Sequence, residues 1–448
     1  MSLIVHPIDY RYGTPEMKRI WSEDSKIKRM VRVEFCLLKA LSEFGYFSMN
    51  SKDVKKRMLM VTPDEVRRIE DEIKHDIMAL VKAITSKLDE DTARWVHFGA
   101  TSNDIIDTAT ATQLRDALKV LECKIRRLLK LLIHKAEEYK GVVCLGRTHG
   151  QPALPTTYGF RFALWASEVA RHYQRLKEIR ERLIVGQMSG AVGTQASFGE
   201  KGMEIEKRVM ELLNLKPAVI SSQIIPRDIY CEYLEFLANL STTLEKIATN
   251  FRILQRAEVG EVMERFGKKQ VGSSTMPHKR NPIDSENICG LARVVRGFVE
   301  PQHQSSILWE ERDLTNSSAE RITLVESSVL VDHILTKMIK VVESLSLDME
   351  AIKRNLEQQK QLNLSEAVMI ELTKRGVGRQ SAHEILRESA MKAYERKLSL
   401  FEALKDNEEV KKYISSDELK ELLKAENYLG TAKKRVEIVV QSIRELLS

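Results

Sequence analysis

The chain has 448 residues, of which 43% are apolar, 30% charged and 6% aromatic, so it is too apolar for a disordered protein and long enough for more than one core. Its formal net charge is +7, but the two signs alternate along the sequence, which disfavours a basic patch for nucleic acid. The five cysteines are scattered without C-x-x-C spacing, so neither a disulfide framework nor a zinc site is indicated and a cytoplasmic location is expected.

The N-terminal stretch MSLIVHPIDYRYGTPEM lacks a basic region followed by a long apolar run, so no secretory leader is expected. Nowhere does an apolar run approach the ~18 residues that a membrane-spanning helix needs. We therefore expect neither secretion nor membrane insertion.

Long helices are predicted for the middle of the chain. One covers the stretch from Arg227 to Val259, which has neither proline nor glycine. Its apolar residues recur at alternating steps of three and four, which is typical of a coiled-coil helix. These positions are Tyr230, Tyr233, Leu237, Leu240, Leu244, Ile247, Phe251 and Leu254. Four more long helices are predicted, one from Asp104 to Gly141 and the others over 157–183, 283–299 and 318–345.

The predicted fold class is all-α, with three domains. Residues 1–104 form an N-terminal helical domain, 105–346 a central bundle of five long helices, and 347–448 a C-terminal helical domain. Leu129, Leu234 and Phe236 widen the apolar faces beyond one coiled-coil stripe, which favours burial on several sides. A homo-oligomer is therefore expected.

Polar segments interrupt the helical pattern, and chemistry is expected there because helix ends expose backbone amides and side chains together. These polar islands cover residues 9–17, 74–76, 97–108, 146–153, 272–282 and 309–321.

The island GSSTMPHKRNP (272–282) is predicted to lead into a helix that Asn281 caps. Gly272 and the serines supply backbone amides that can face an anion, and Lys279 adds a positive charge. A nucleotide P-loop is excluded, because the second glycine of that motif and the preceding buried strand are both missing.

Two further islands contain candidate catalytic or binding groups. His149, among short polar side chains at a predicted helix end, is a candidate general acid. Arg312 and Arg321 lie at near-helical spacing, as arginines that clamp phosphate or carboxylate do. His75 with Asp76, and His97, are either functional groups or hydrogen-bonded buried pairs.

Taken together, the islands resemble the fumarase/aspartase superfamily of lyases over essentially the whole chain. GSSTMPHKRNP resembles the superfamily signature, and HFGATSNDIIDT, GRTHGQPA and GAVGTQASFG accompany it in the expected order. The RY pair at 11–12, KHD at 74–76 and ERDLTNSSAER at 311–321 resemble the branch that acts on succinylated purine nucleotides.

The resemblance implies a three-domain helical protomer and a homotetramer whose central helices form one joint core. Each active site would gather islands from three subunits. No metal or organic cofactor is implied. The implied reaction is β-elimination of fumarate from a small anionic substrate, a succinylated purine nucleotide.

The resemblance also implies roles for individual residues. Ser273 would be the base and His149 the acid, while Lys279 and Asn281 would hold the substrate carboxylate. Ser274 remains the alternative to Ser273. The other positions that match substrate-contacting residues are Arg11, Tyr12, Lys74, His75, Asp76, Thr101, Ser102, Gln223, Arg312, Ser317 and Arg321.

Two alternatives stay open. The chain is a superfamily lyase with a different substrate, such as argininosuccinate or carboxymuconate, or it is a helical scaffold without activity. The serine, histidine and lysine of the islands are all present, which disfavours the scaffold.

Overall fold

The structure, a computed structural model, describes residues 5–267, 272, 274–276 and 278–448. The described residues before position 100 form the helices α1 (Pro7–Tyr10), α2 (Pro15–Trp21), α3 (Glu23–Glu43), α4 (Ser51–Met58), α5 (Pro63–Ile73), α6 (Asp76–Thr85) and α7 (Glu90–Ala93). Side-chain oxygens or nitrogens of the preceding residues cap most of these helices, as at Thr14, Asn50 and Thr62.

The middle of the chain contains, in order, α8 (Ser102–Glu138), β1 (Val143–Thr148), β2 (Gln151–Thr157), α9 (Tyr158–Leu183), β3 (Val185–Gly186), α10 (Gly202–Leu213), β4 (Lys216–Pro217), α11 (Asp228–Leu254), β5 (Val262–Met263), α12 (Ile283–Gly297), α13 (Val299–Gln304), α14 (Thr315–Ser344) and β6 (Ser346–Leu347). The C-terminal part contains α15 (Met349–Glu357), α16 (Ser365–Lys374), α17 (Arg379–Glu395), α18 (Leu400–Leu404), α19 (Glu408–Lys411), α20 (Ser416–Leu422) and α21 (Ala432–Leu447).

The predicted all-α class and the predicted long helices are confirmed. The helices α8, α9, α11, α12 and α14 coincide with the five predicted stretches, with ends that differ by a few residues. Every position of the apolar pattern on α11 is buried, and Tyr233, Leu240 and Phe251 are completely inaccessible. The periodicity therefore identified the face of this helix that is buried.

The chain divides into two compact units. Unit 1 comprises Met1–Ile125, His172–Leu244 and Gly290–Thr336, and unit 2 comprises Arg126–Arg171, Glu245–Cys289 and Lys337–Ser448. One core of unit 1 joins α3, α6, α8 and α10 and includes Leu37, Leu80 and Ile105. A core of unit 2 joins the helices after residue 364 and includes Val368, Leu400 and Leu404.

The wide apolar faces have a different cause from the one that the sequence suggested. Leu129, Leu234 and Phe236 are 0%, 1% and 4% exposed within the single chain. Their burial is thus already complete in one protomer, and they carry no information about an oligomer. None of the helices among the described residues is long and apolar enough to cross a membrane.

The strands β1 and β2 form an antiparallel hairpin in which Thr148 pairs with Gln151. His149 and Gly150 make the connection, both with left-handed backbones (φ 53° and 74°), as a two-residue hairpin turn requires. The expectation that His149 lies at a helix end is therefore wrong. Pro152 and Pro155 lie within β2, and a two-stranded sheet tolerates proline because both strands are edges.

The junction between α8 and α9 generates the first prediction. A Cβ atom added to Gly159 would lie 2.4 Å from Lys140 Cα and 2.5 Å from the carbonyl oxygen of Ala136. Because both neighbours are backbone, we expect Gly159→Ala to destabilise the protein by about 1–3 kcal/mol, the usual range for overpacking. The measurement is the urea midpoint of unfolding.

The matched control is Gly141→Ala in the same connection, because a Cβ atom at Gly141 meets nothing within 4 Å. This variant should differ from wild type by less than about 0.5 kcal/mol. Equal midpoints for the two variants would contradict the close backbone packing at Gly159.

Candidate functional site

The segment that contains Arg11 and Tyr12 is fixed to helix α14. The Tyr12 ring meets the His333 ring edge-on, with centroids 5.3 Å apart. The backbone N–H of Thr14 donates to the buried carboxylate of Asp332 at 3.2 Å, and its hydroxyl donates to the same oxygen. Arg11 is exposed. The N-terminal cation thus extends into solvent from a segment that α14 holds in place.

The residues Lys74, His75 and Asp76 form the tight turn between α5 and α6. Lys74 ends α5 in a left-handed conformation (φ 55°). His75 caps α6, since its Nδ1 accepts the N–H of Met78 at 3.3 Å, which leaves Nε2 to carry the proton of the neutral ring. Asp76 faces Arg321 at 3.6 Å. With side chains 50% and 36% exposed, His75 and Asp76 are not a buried pair.

Thr101 and Ser102 lie at the start of α8, where Asp104 holds two loops together. Its carboxylate accepts the N–H groups of Thr101 and Ser189 at 2.8 Å and of Gly190 at 3.0 Å. Burial raises the pKa of this carboxyl group because it disfavours the charged form, and the three hydrogen bonds act against that effect. The loop that precedes α8 is therefore fixed to residues 189–190.

His97 is a structural residue beneath the same loop. Its Nδ1 lies 2.6 Å from Oε1 of Glu34, and its backbone N–H donates to the other oxygen at 3.1 Å. Glu34 is completely buried. Burial opposes protonation of the ring, but the Glu34 carboxylate outweighs it and raises the pKa of His97. Of the two interpretations left open by the sequence, the buried pair is the correct one for His97.

A buried arginine organises the region around Gln223 and Arg312. Both Nη atoms of Arg227 bind Asp107, at 2.7 and 2.9 Å, and its Nε donates to Glu320 at 3.0 Å. Gln223 accepts a hydrogen bond from Arg312 Nη1 at 3.1 Å. Burial lowers the pKa of Arg312, with a further contribution from the nearby Arg227.

Asp76, Arg312, Ser317 and Arg321 line one cavity of unit 1, whose volume is about 420 Å³. The cavity lies among α3, α5, α6, α8, α11 and α14. This volume is within the range of small-molecule sites. Residues from the 74–76 and 309–321 islands, far apart in sequence, thus meet at one site.

His149 of unit 2 is exposed at the tip of the β1–β2 hairpin. At the base of this hairpin, the buried carboxylate of Glu261 accepts hydrogen bonds from Arg147 at 2.6 Å, from Tyr158 and from Asn355 at 2.8 Å. A left-handed backbone is uncommon for histidine and is found mostly where the surrounding structure enforces it. The hairpin and its Glu261 base supply that constraint.

The predicted base Ser273 lies outside the described residues. Within the same island, Lys279 is exposed, and its carbonyl oxygen would lie 1.7 Å from a Cβ atom added to Gly272. The two ends of the loop are therefore in direct backbone contact, which only glycine permits at position 272.

Asn281 does not cap the following helix, so that prediction is wrong. Its amide donates instead to the carbonyl oxygen of Gly272 at 2.8 Å and closes the loop. Glu264 performs the capping, since its carboxylate accepts the N–H of Ser285 at 2.9 Å and of Asp284 at 3.3 Å. Sequence spacing could not show this, because Glu264 precedes the helix by almost twenty residues.

Sequence reasoning also missed Asp107, Arg227, Glu320 and Lys26, which line the cavity with the predicted residues. One usable signal was the presence of Asp104 and Asp107 at otherwise apolar helix positions, since buried charges require partners. Among the described residues, no three His, Cys, Asp or Glu side chains are grouped in a way that could hold a metal ion.

Comparison with known families agrees with this geometry. The profile of a lyase family matches residues 19–297, and the profile of the adenylosuccinate lyase C-terminus matches residues 361–439. Among solved structures, the fumarate lyase from Mesorhizobium sp. BNC1 superposes with a TM-score of 0.89 at 30% identity, over 98% of this chain and 100% of that one. The 3-carboxy-cis,cis-muconate lactonizing enzyme from Pseudomonas putida gives a TM-score of 0.89 at 29% identity, covering 99% of both chains. The fold and the family profile define the protein as a lyase of the fumarase/aspartase superfamily.

Curated relatives narrow this class. The adenylosuccinate lyase of Archaeoglobus fulgidus is 75% identical over 99% of this chain and 100% of the relative. That of Methanocaldococcus jannaschii is 49% identical over 99% of this chain and 96% of the relative. The chain belongs to the adenylosuccinate lyase family.

The His97–Glu34 pair predicts a pH dependence of stability. Because the folded-state pKa of His97 is raised, the pair stabilises the fold fully below the unfolded pKa of about 6.5, and this contribution is lost as pH rises through the folded pKa. We expect the melting temperature of wild type to fall across this window. In Glu34→Gln that part of the fall should disappear.

Calorimetry between about pH 5 and 9 measures this effect. The control is Glu326→Gln, which removes the partner of His6 in a pair where the histidine is 49% exposed and which should leave the profile unchanged. Identical profiles for wild type and Glu34→Gln would contradict the coupling.

Proposed function

We propose that the protein catalyses the β-elimination of fumarate from adenylosuccinate, which gives AMP, and from succinyl-aminoimidazole carboxamide ribotide in purine biosynthesis. The observation that carries the proposal is the cavity of unit 1, where Asp76, Arg312, Ser317 and Arg321 come together. A succinylated nucleotide has two carboxylates and a phosphate, with a total charge of about −4. Such a substrate requires several cations from separate segments.

The chemistry assigns different tasks to the two catalytic candidates. A base must remove a weakly acidic proton next to a carboxylate, and we assign this role to Ser273. An acid must protonate the departing nitrogen, and His149 is suited to it because its ring is exposed at a constrained hairpin tip. Lys279 is a cation in the same island as Ser273 and would favour both an ionised serine and the growing charge on the substrate.

Asn281 has a second task in this proposal. Its amide is occupied by the carbonyl oxygen of Gly272, which leaves its side-chain oxygen for the substrate or for water. It therefore contributes to catalysis at least by closing the loop that contains residue 273. Arg11, Tyr12, Lys74, His75, Thr101, Ser102 and Gln223 complete the proposed binding residues.

The competing substrates are less well supported. The muconate lactonizing enzyme shares the fold at 29% identity, whereas the adenylosuccinate lyase of A. fulgidus is 75% identical over its full length. A scaffold without activity is disfavoured, because the sequence contains Ser273, His149 and Lys279 together.

We also propose a homotetramer with shared active sites and a three-part division of each protomer at about residues 104 and 346. Support for association comes from apolar side chains that stay exposed in the single chain. Val219, Ile220, Ile307, Trp309 and Leu314 are each at least 70% exposed. A monomer rarely exposes so many large apolar groups in a few short segments. The five unpaired cysteines support a location in the reducing cytoplasm.

Removal of either catalytic group tests the mechanism. We expect Ser273→Ala and His149→Ala each to reduce kcat for adenylosuccinate by about a hundred- to ten-thousand-fold, because the proton transfers lose their donor or acceptor. Fumarate release is the readout, with argininosuccinate as the alternative substrate for the wild type.

His134→Ala is the matched control for the histidine variant, since His134 is exposed on the side of α8, and it should retain activity close to that of wild type. Ser274→Ala tests the alternative base, and it should retain most of the activity if Ser273 is the base. If a correctly folded Ser273→Ala or His149→Ala variant turned over at the normal rate, the assigned role of that residue would be lost.

Shared sites predict recovery of activity between two inactive variants. If Ser273 and His149 of one site belong to different subunits, mixed tetramers of Ser273→Ala and His149→Ala regain some intact sites, about a quarter at equal amounts. Co-expression with two affinity tags and tandem purification isolates the mixed species. Mixed tetramers as inactive as their parents would contradict shared sites.

A further inference from the structure

The cavity of unit 1 contains a lysine that none of the sequence motifs includes. Lys26 lies in the first turn of α3 and lines the cavity together with Arg312, Ser317 and Arg321. The neighbouring wall residues Ile27, Met30, Val66, Leu324 and Val325 are apolar. The site thus combines an apolar wall with a group of cations, as a nucleotide site does.

The positive charge of Lys26 is poorly neutralised by other side chains of the protein. Among the described residues, no carboxylate lies within 4.0 Å of its ammonium group and no hydrogen bond joins it to another side chain. Burial, and then the neighbouring Arg321, lower the pKa of Lys26, while Asp76 and Glu23 act against them. Holding two cations close together at a partly buried site is unfavourable unless an anion binds between them.

The carboxylates that line the cavity do not neutralise the positive charge of Lys26. Asp107 and Glu320 are bound to Arg227, which lies between them. Glu23 is 62% exposed and faces Arg67 at 3.6 Å. This leaves Asp76 and Glu70, whose acceptor oxygens suit ribose hydroxyl groups better than they suit an anion.

Buried polar atoms without partners occur around the same cavity. Nε of Arg312, Oδ1 of Asn316 and Oδ1 of Asn103 have no hydrogen-bond partner, although all three residues line the cavity. Buried polar atoms are usually satisfied, so unsatisfied ones mark a place where a bound molecule or a local rearrangement supplies the partner.

We propose that Lys26 is a further substrate-binding residue that contacts the nucleotide phosphate together with Arg321. This inference rests on the proposed function, because the substrate is taken to be a succinylated nucleotide. The phosphate is favoured over the succinyl carboxylates because Lys26 shares its cavity with the guanidinium groups of Arg312 and Arg321 and with the hydroxyl of Ser317, a set of donors that suits a phosphate group. The substrate carboxylate is already assigned to Lys279 and Asn281.

Steady-state kinetics of Lys26→Gln and Lys26→Arg test the proposal. Lys26→Gln should raise KM for adenylosuccinate about 10- to 100-fold, the range for loss of a hydrogen bond between charged groups, with kcat within about threefold of wild type. Lys26→Arg keeps the charge and should recover most of the loss. Lys28→Gln, an exposed position on the same helix, is the control and should behave as wild type.

Product binding separates a phosphate contact from a structural role. In Lys26→Gln, the dissociation constant of AMP should rise by the same factor as KM, whereas those of adenosine and fumarate should stay unchanged. Equal weakening of AMP and adenosine would show a structural defect and overturn the proposal. An unchanged KM, or weaker fumarate binding alone, would overturn it as well.

Calorimetric titration with AMP distinguishes this inference from the proposed function. If wild type released no fumarate from adenylosuccinate, the proposed function would fail, yet selective loss of AMP binding in Lys26→Gln would still support the phosphate contact. If wild type is active and Lys26→Gln binds AMP normally, only the Lys26 assignment fails.

Discussion

Buried and half-buried carboxylates attach the polar islands to the helices, and the arrangement of the candidate site depends on them. Asp332 binds the segment before α2, Asp104 binds residues 101 and 189–190, and Glu264 binds the start of α12. A buried carboxylate that loses its partners costs several kcal/mol. If one of these loops moved, its carboxylate would be exposed to solvent or left without hydrogen-bond donors. The irregular segments are therefore nearly as well defined as the helices.

Other carboxylates determine which cations remain available. Arg227 is consumed by Asp107 and Glu320, and Arg147 by Glu261. Arg321 faces Asp76 only at 3.6 Å, and Arg11 is exposed. An enzyme that stabilises developing negative charge needs donors that are fixed before the substrate arrives. Arg227 and Arg147 are structural cations, whereas Arg321 and Arg11 are available to a substrate, which fits that requirement.

The sequence predicted the regular part of the fold well, since the long helices are governed by local periodicity. The pattern on α11 identified buried positions one by one. Sequence reasoning failed at the β1–β2 hairpin, where His149 was expected at a helix end, because the prolines of β2 are uncommon in strands other than edge strands. It failed again at Asn281, because the capping residue Glu264 is distant in sequence.

The candidate site likewise contains residues that the sequence predicted and residues that it did not. Motifs supplied Arg312, Ser317 and Arg321, and the structure brings them to one cavity with Asp76. Lys26 and Arg227 belong to no motif, and their surroundings arise from helices that are far apart along the chain. Only three-dimensional contacts reveal that Arg227 is neutralised by carboxylates and that Lys26 is not.

The most direct measurement is a crystal structure of the His149→Ala variant with adenylosuccinate bound. We predict one substrate molecule with its phosphate at Lys26, Arg312 and Arg321. Its departing nitrogen would then lie beside position 149, and its reactive C–H bond would face Ser273, with neighbouring subunits allowed to contribute. A phosphate bound elsewhere, or a succinyl group remote from residues 149 and 273, would contradict it.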